Sequence, residues 1–144
     1  MSDSHAKTPI WFWILAVIAI LWNGYGVFAY IATQYQWAPA LEGLTEEQLT
    51  YFYSMPAWST GLWAVSVMVA FVASIFLILR KGPADIMFLL GMIGFLITNI
   101  YSLFVRGGIA IMGTPALIVA VVIFLSLLGF FWTARWASSA GIMK

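Results

Sequence analysis

Residues 57–79 read AWSTGLWAVSVMVAFVASIFLIL and contain no charged side chain. An uncharged, apolar run of about 20 residues is long enough to cross the roughly 30 Å hydrocarbon core of a bilayer as a helix. Three further stretches have the same character, at about residues 10–31, 86–105 and 115–133. The sequence therefore predicts an all-α membrane protein whose single domain, residues 1–144, is a bundle of four transmembrane helices.

The composition of the chain excludes several classes of protein and several kinds of chemistry. Apolar residues make up 64% of the chain and charged residues 8%, which excludes a soluble globular domain. A net charge of +1 gives no reason to expect a nucleic-acid partner, and the absence of cysteine excludes disulfides and thiol chemistry. The single histidine, His5, lies in a polar N-terminal tail, where solvation is a simpler role than metal binding. We expect neither a metal site nor a cofactor.

The lysine and arginine residues predict the orientation, because cytoplasmic loops are enriched in both. If the chain crosses four times, five cations share one side: Lys7, Arg80, Lys81, Arg135 and Lys144. The opposite side has Arg106 alone, which is expected to extend to the lipid headgroups rather than hold an anionic ligand. This asymmetry predicts that both termini lie in the cytoplasm.

The longest polar segment lies between the first and second apolar stretches. Within it, the residues from Thr45 to Gln48 match a capping box, in which the two side chains bond each other's backbone N–H groups. We predict a short helix at residues 45–54 that lies in the membrane interface, with its apolar side towards lipid or the bundle.

Small residues predict how the four helices pack. Lipid tails are as apolar as leucine, so close packing and interhelical hydrogen bonds must hold the bundle together. Ridges of small residues occur in the last three stretches: Ser66, Ala70 and Ser74; Gly91 and Gly94; and Ser126, Gly129 and Thr133. These ridges predict the contact faces of a tight bundle.

Two asparagines, Asn23 and Asn99, lie within the apolar stretches. Each is about 20 Å from the start of its stretch at 1.5 Å per residue, which predicts that both side chains lie at the same depth. One interpretation is that the two amides join helices through hydrogen bonds. The other is a ligand-binding site at Asn23, Tyr25, Trp63, Asn99 and Tyr101, since amides and aromatic rings together suit a neutral solute such as a sugar. Tyr25 is two positions from Asn23 and can instead face lipid.

The apolar stretches contain no Asp, Glu, Lys, Arg or His. Ion-coupled carriers place such groups within the membrane, and hydrolytic enzymes need a base beside their nucleophile. We therefore expect no enzymatic activity. Four helices at ordinary spacing leave little room for a solute path, so transport would require a homo-oligomer or a larger membrane complex.

The chain resembles a largely uncharacterised group of small four-helix bacterial inner-membrane proteins, some of which are labelled sugar transporter-like. The resemblance spans nearly the whole chain. It rests on these residues: Trp22-Asn23-x-x-Gly26-x-x-x-Tyr30-x-x-Thr33; Leu44-Thr45-x-Glu47-Gln48-x-x-x-Phe52-Tyr53-x-x-Pro56-x-Trp58; Arg80-Lys81; and Asn99 with Tyr101. It implies a location in the bacterial plasma (inner) membrane and a role with a sugar-like solute.

Two functions follow from these observations. The first is a facilitator or binder of a small neutral polar solute such as a sugar. The second is a structural or accessory subunit of a larger membrane protein complex. In either case membrane lipid surrounds the protein.

Overall fold

A computed structural model describes residues 7–144, so His5 lies outside the described residues. This part of the chain forms helices and turns and contains no strand. The elements in order are α1 (Ile10–Gln34), α2 (Ala38–Leu41), α3 (Glu46–Tyr53), α4 (Ala57–Ile78), α5 (Ala84–Ile100), a π-helical turn (Tyr101–Val105), α6 (Gly108–Met112) and α7 (Thr114–Ser139). Four helices are long and apolar enough to cross a membrane: α1, α4, α5 with its π-helical turn, and α7. The predicted four-helix membrane protein is confirmed.

The closest pair of helices is α4 and α5, which pack through small residues as predicted. A Cβ atom added to Gly94 would overlap the Ser66 hydroxyl oxygen. One added to Gly91 would lie 3.2 Å from the Ser66 carbonyl oxygen and 3.4 Å from the Ala70 Cβ. The absence of a Cβ atom at Gly94, and to a smaller degree at Gly91, lets the two helices approach this closely.

The other contacts place the helices in the order α1, α4, α5, α7, with only sparse contact between α1 and α7. We call the end of the bundle at the turn between α4 and α5 the basic end. There, Phe12, Leu77 and Phe88 are fully buried. The rings of Trp11 and Trp136 pack at a tilt of 46° with centroids 4.6 Å apart and so join α1 to α7. The apolar core therefore closes the basic end.

Polar contacts reinforce the basic end. Arg80 ends α4 in the left-handed conformation with φ 56°, and its carbonyl oxygen accepts a hydrogen bond from the Lys144 N–H at 2.6 Å. Asp85, which is 6% exposed, lies 3.3 Å from Arg135. The ion pair joins the first turn of α5 to the last turns of α7.

The opposite end of the bundle contains α3 and α6, and we call it the lid end. The capping box is confirmed: the Thr45 hydroxyl accepts from the Gln48 N–H, and the Gln48 side chain accepts from the Thr45 N–H. The predicted helix is present as α3, and the buried Tyr51 turns towards the bundle. Its position in the membrane interface stays a prediction, as does the cytoplasmic location of the termini.

The small-residue ridge of α7 does not pack within the bundle, so that part of the prediction is wrong. A Cβ atom added to Gly129 would have no neighbour within 4 Å among residues 7–144. The Ser126 and Thr133 hydroxyls bond carbonyl oxygens of their own helix. The side of α7 that meets α5 instead has larger apolar residues, with Leu127 and Phe130 buried.

Candidate functional site

A cavity of about 470 Å³ lies at the lid end of the bundle. Four elements that start or end at this end of the bundle supply its walls: the last turn of α1, the first half of α4, the second half of α5 and the first half of α7. Helix α3 and the connection to α4 form its roof with Tyr51, Phe52 and Met55. Its volume lies within the range of small-molecule sites, which is about 300–1,000 Å³.

The walls of the cavity differ in chemistry. The polar wall contains amides and hydroxyls from α1, α4 and α5: Gln34, Ser59, Thr60, Thr98, Asn99 and Ser102. The apolar wall comes from α6 and α7: Met112, Pro115, Ala116, Val119 and Ile123. Trp63 and Phe95 contribute aromatic rings. None of these residues is charged, so the cavity offers neutral hydrogen-bonding groups opposite an apolar surface.

Tyr51 anchors the roof to α5. Its hydroxyl oxygen lies 2.7 Å from the Ser102 carbonyl oxygen and 2.6 Å from the Ser102 hydroxyl oxygen. The π-helical turn makes the Ser102 carbonyl available to Tyr51. In this wider turn the ordinary helical hydrogen bonds are replaced, and the turn ends in a bond from the Arg106 N–H to the Tyr101 carbonyl. Gly108 makes room for the ring, since a Cβ atom there would overlap the Tyr51 hydroxyl.

Four more hydrogen bonds join the roof segment to its surroundings. Arg106 donates to the hydroxyl oxygen of Ser54 at 2.8 Å and to the Ser54 carbonyl oxygen at 3.4 Å. The Gln48 amide donates to the Ile111 carbonyl, and Tyr53 donates to the Thr33 carbonyl. Arg106, predicted to extend to headgroups, is therefore bonded to the end of α3. It lies in a separate surface depression with Glu46 and Glu47, outside the cavity.

Two of the five predicted site residues, Trp63 and Asn99, line the cavity together. The Trp63 ring also packs edge-on against Tyr30 of α1, with centroids 4.8 Å apart. The Asn99 amide donates one hydrogen bond, to the Phe95 carbonyl of its own helix at 2.9 Å. Its carbonyl oxygen and second N–H have no partner within residues 7–144 and remain available to a ligand.

Asn23 has a different environment. It is 7% exposed, and its amide donates to the Ala19 carbonyl and to the Ser74 hydroxyl, both at 2.9 Å. Ser74 lies near the basic end of α4, whereas Trp63 of the same helix lines the cavity, about three turns or 16 Å away. The prediction that Asn23 and Asn99 lie at the same depth is therefore wrong.

The remaining two predicted site residues also lie outside the cavity. Tyr25 is 69% exposed on the outer face of α1, with its ring 6.2 Å from that of Phe28. Tyr101 packs against Trp58, with ring centroids 4.6 Å apart, on another side of α5. The structure thus brings together Trp63 and Asn99 and separates both from Asn23, Tyr25 and Tyr101.

Several lining residues, above all Ser59 and Thr60, could not be recognised from the sequence. Adjacent hydroxyls in the first turn of a transmembrane helix are a weak signal, because hydroxyls are common at helix starts. Gln34 and Tyr51 could not be recognised as lining residues either, because the cavity that they share forms only when the helices and the roof assemble.

No family model matches this chain, and comparisons with curated proteins and with solved structures gave no match. The resemblance to small four-helix inner-membrane proteins stays an expectation. The function is therefore argued from the geometry of the cavity.

Proposed function

We propose that this integral membrane protein binds a small uncharged molecule in the cavity beneath α3. The observation that carries the proposal is a cavity of about 470 Å³ with neutral polar groups, aromatic rings and no charged side chain in its lining. Hydroxyl-bearing molecules such as sugars suit this lining, because amides and hydroxyls exchange hydrogen bonds with hydroxyls while rings pack on C–H faces.

The closed basic end favours a binder over an open channel. The fully buried Phe12, Leu77 and Phe88 fill the core between the cavity and that end of the bundle. A solute that passed through would have to displace these side chains, and protein interiors are too densely packed for that without rearrangement. Facilitated passage therefore requires a second conformation, whereas binding does not.

The orientation proposed for the chain places this cavity in the outer half of the bacterial plasma membrane. The proposal rests on the grouping of Arg80, Lys81, Arg135 and Lys144 at the basic end, which the positive-inside tendency assigns to the cytoplasm. The roof helix α3 then faces the periplasm, which would be the source of a water-soluble ligand.

Tryptophan fluorescence of the protein in lipid nanodiscs tests the proposed function. Glucose is compared with gluconate and glucosamine, which are of similar size but charged. We expect a saturable signal with the neutral sugar alone, lost in Trp63→Phe because that ring lines the cavity.

A matched pair of bulky variants provides the control. Ala116→Phe fills the cavity and should abolish the response, whereas Ala110→Phe places the same ring at an exposed position outside the cavity and should preserve it. An equal response to charged and neutral compounds, or an unchanged response in Ala116→Phe, would contradict the proposal.

A second candidate is an accessory subunit that packs against another membrane protein or a second copy of this chain. The specific observation is that the ridge formed by Ser126, Gly129 and Thr133 faces away from the bundle. Gly129→Leu should then release the partner on gentle solubilisation, while Gly61→Leu, at another exposed glycine without neighbours, should retain it. Isolation of the lone wild-type chain from intact membranes would exclude this candidate.

A further inference from the structure

The hydroxyls of the transmembrane helices divide into two groups. Most bond a carbonyl oxygen one turn back in their own helix, the usual way to satisfy a hydroxyl within a membrane; these are Thr33, Ser66, Ser74, Thr98, Ser126 and Thr133. For Ser59, Thr60, Thr114 and Ser138 no side-chain hydrogen bond is found within residues 7–144. Thr114 and Ser138 are exposed at the two ends of α7, whereas Ser59 and Thr60 line the cavity.

Ser59 is the more informative of the two. The residue is only 5% exposed, yet no buried side-chain N or O atom within residues 7–144 lacks a partner, so its hydroxyl must open on the cavity. A ligand in the cavity can therefore exchange a hydrogen bond with this hydroxyl. The available amide groups of Asn99 line the same cavity, so several hydrogen-bonding groups meet one occupant.

The opposite wall offers this occupant no hydrogen bond. It consists of apolar side chains of α6 and α7. The cavity reaches the protein surface on this side, because Val119 lines the cavity and is 56% exposed. Helices α1 and α7 meet at the basic end through Trp11 and Trp136 but have only sparse contact overall. At the lid end the cavity occupies the space between them, from Gln34 to Val119. In a bilayer, that side faces lipid.

From these observations, and given the proposed function, we infer that the ligand is an uncharged amphiphile. Its hydroxyl-bearing head bonds Ser59, Thr60 and Asn99, and its apolar chain lies along Val119 and Ile123. It enters from the hydrocarbon between α1 and α7, so the roof does not have to open. A chain on the apolar wall makes contacts that a free polyol cannot make.

Photolabelling of the full-length protein in lipid nanodiscs tests this inference. The labelling compound is n-hexyl β-glucoside with a diazirine in its alkyl chain, and methyl β-glucoside is the same head without the chain. We expect saturable labelling at Val119 and Ile123, above the non-saturable labelling of Ile118 and Val122. These last two residues lie on the same helix, outside the cavity lining, and report the lipid background.

Variants connect the labelling to the polar wall. Ser59→Ala, or Thr60→Val as a second variant, should raise the concentration for half-maximal labelling about fivefold, the value of one neutral hydrogen bond. Ser126→Ala, which removes a hydroxyl on the outer side of α7, should leave it unchanged.

The outcomes separate this inference from the proposed function. If methyl β-glucoside protects the cavity residues as well as unlabelled hexyl β-glucoside does, the ligand is a water-soluble polyol, and the amphiphile is excluded while the proposed function stands. If neither glucoside binds saturably, both the inference and the proposed function fail. If methyl β-glucoside protects only at a concentration at least about tenfold higher, the inference holds.

Discussion

The two intramembrane asparagines should separate stability from binding when each is replaced by leucine, which has nearly the same shape. Asn23→Leu removes the hydrogen bond to Ser74 that joins α1 to α4. The Ser74 hydroxyl keeps acceptors at 2.9 Å and 3.2 Å in the Ala70 and Ala19 carbonyls, so the variant leaves no orphaned group. We therefore expect a loss of about 0.6 kcal/mol in the free energy of unfolding, and at most about 1.7 kcal/mol.

Asn99→Leu should show the opposite pattern. The side chain is half-buried, and its only hydrogen bond within residues 7–144 is to Phe95 of its own helix, so the stability change should stay within about 0.5 kcal/mol. The variant removes a cavity amide, which should weaken ligand binding by about 1 kcal/mol, or roughly fivefold in the dissociation constant.

Unfolding in mixed micelles by titration with dodecyl sulfate, followed by circular dichroism, measures the first quantity. Fluorescence titration in nanodiscs measures the second. The reasoning would be refuted if Asn23→Leu weakened binding at wild-type stability, since Asn23 would then belong to the site and Asn99 would have no separate role.

Two further variants test the ends of the bundle. In Gly108→Ala, the added methyl group should push Tyr51 away and cost about 1–3 kcal/mol, seen as faster hydrogen exchange in α3; unchanged exchange would mean that Tyr51 does not hold the roof. Arg135→Gln should lower stability by about 1 kcal/mol or less, because the Arg135 side chain is 64% exposed although Asp85 is buried. This loss of stability should shrink at high salt. The control variant Lys81→Gln, at an exposed cation with no ion pair within residues 7–144, should show no such loss. A loss that does not depend on salt would indicate that Arg135 acts through packing instead.

The features that depend on local composition could be predicted from the sequence. Uncharged apolar length identified the four transmembrane helices, and Thr45 and Gln48 identified the start of α3. The spacing of Gly91 and Gly94 identified the face of α5 that packs closely in the bundle. In each case the physical cause acts within one helix, or between two helices joined by a short turn.

The features that depend on assembly could not be predicted. Asn23 lies opposite Ser74 and not at the level of Asn99. Residue counts could not predict this, because they ignore where each helix starts relative to its neighbour and how it tilts. Gly129 faces outwards because larger residues of α7 pack on α5 instead. The cavity arises only when the α3 roof and the first half of α7 meet the polar wall, so Ser59 gave no recognisable signal.

Native mass spectrometry of the protein released directly from membranes tests the central claim most directly. The account predicts an adduct of an uncharged small molecule on the wild-type chain and on Ala110→Phe, and its loss from Ala116→Phe, in which the cavity is filled. A wild-type chain without a small-molecule adduct, or an adduct that persists in Ala116→Phe, would contradict the account.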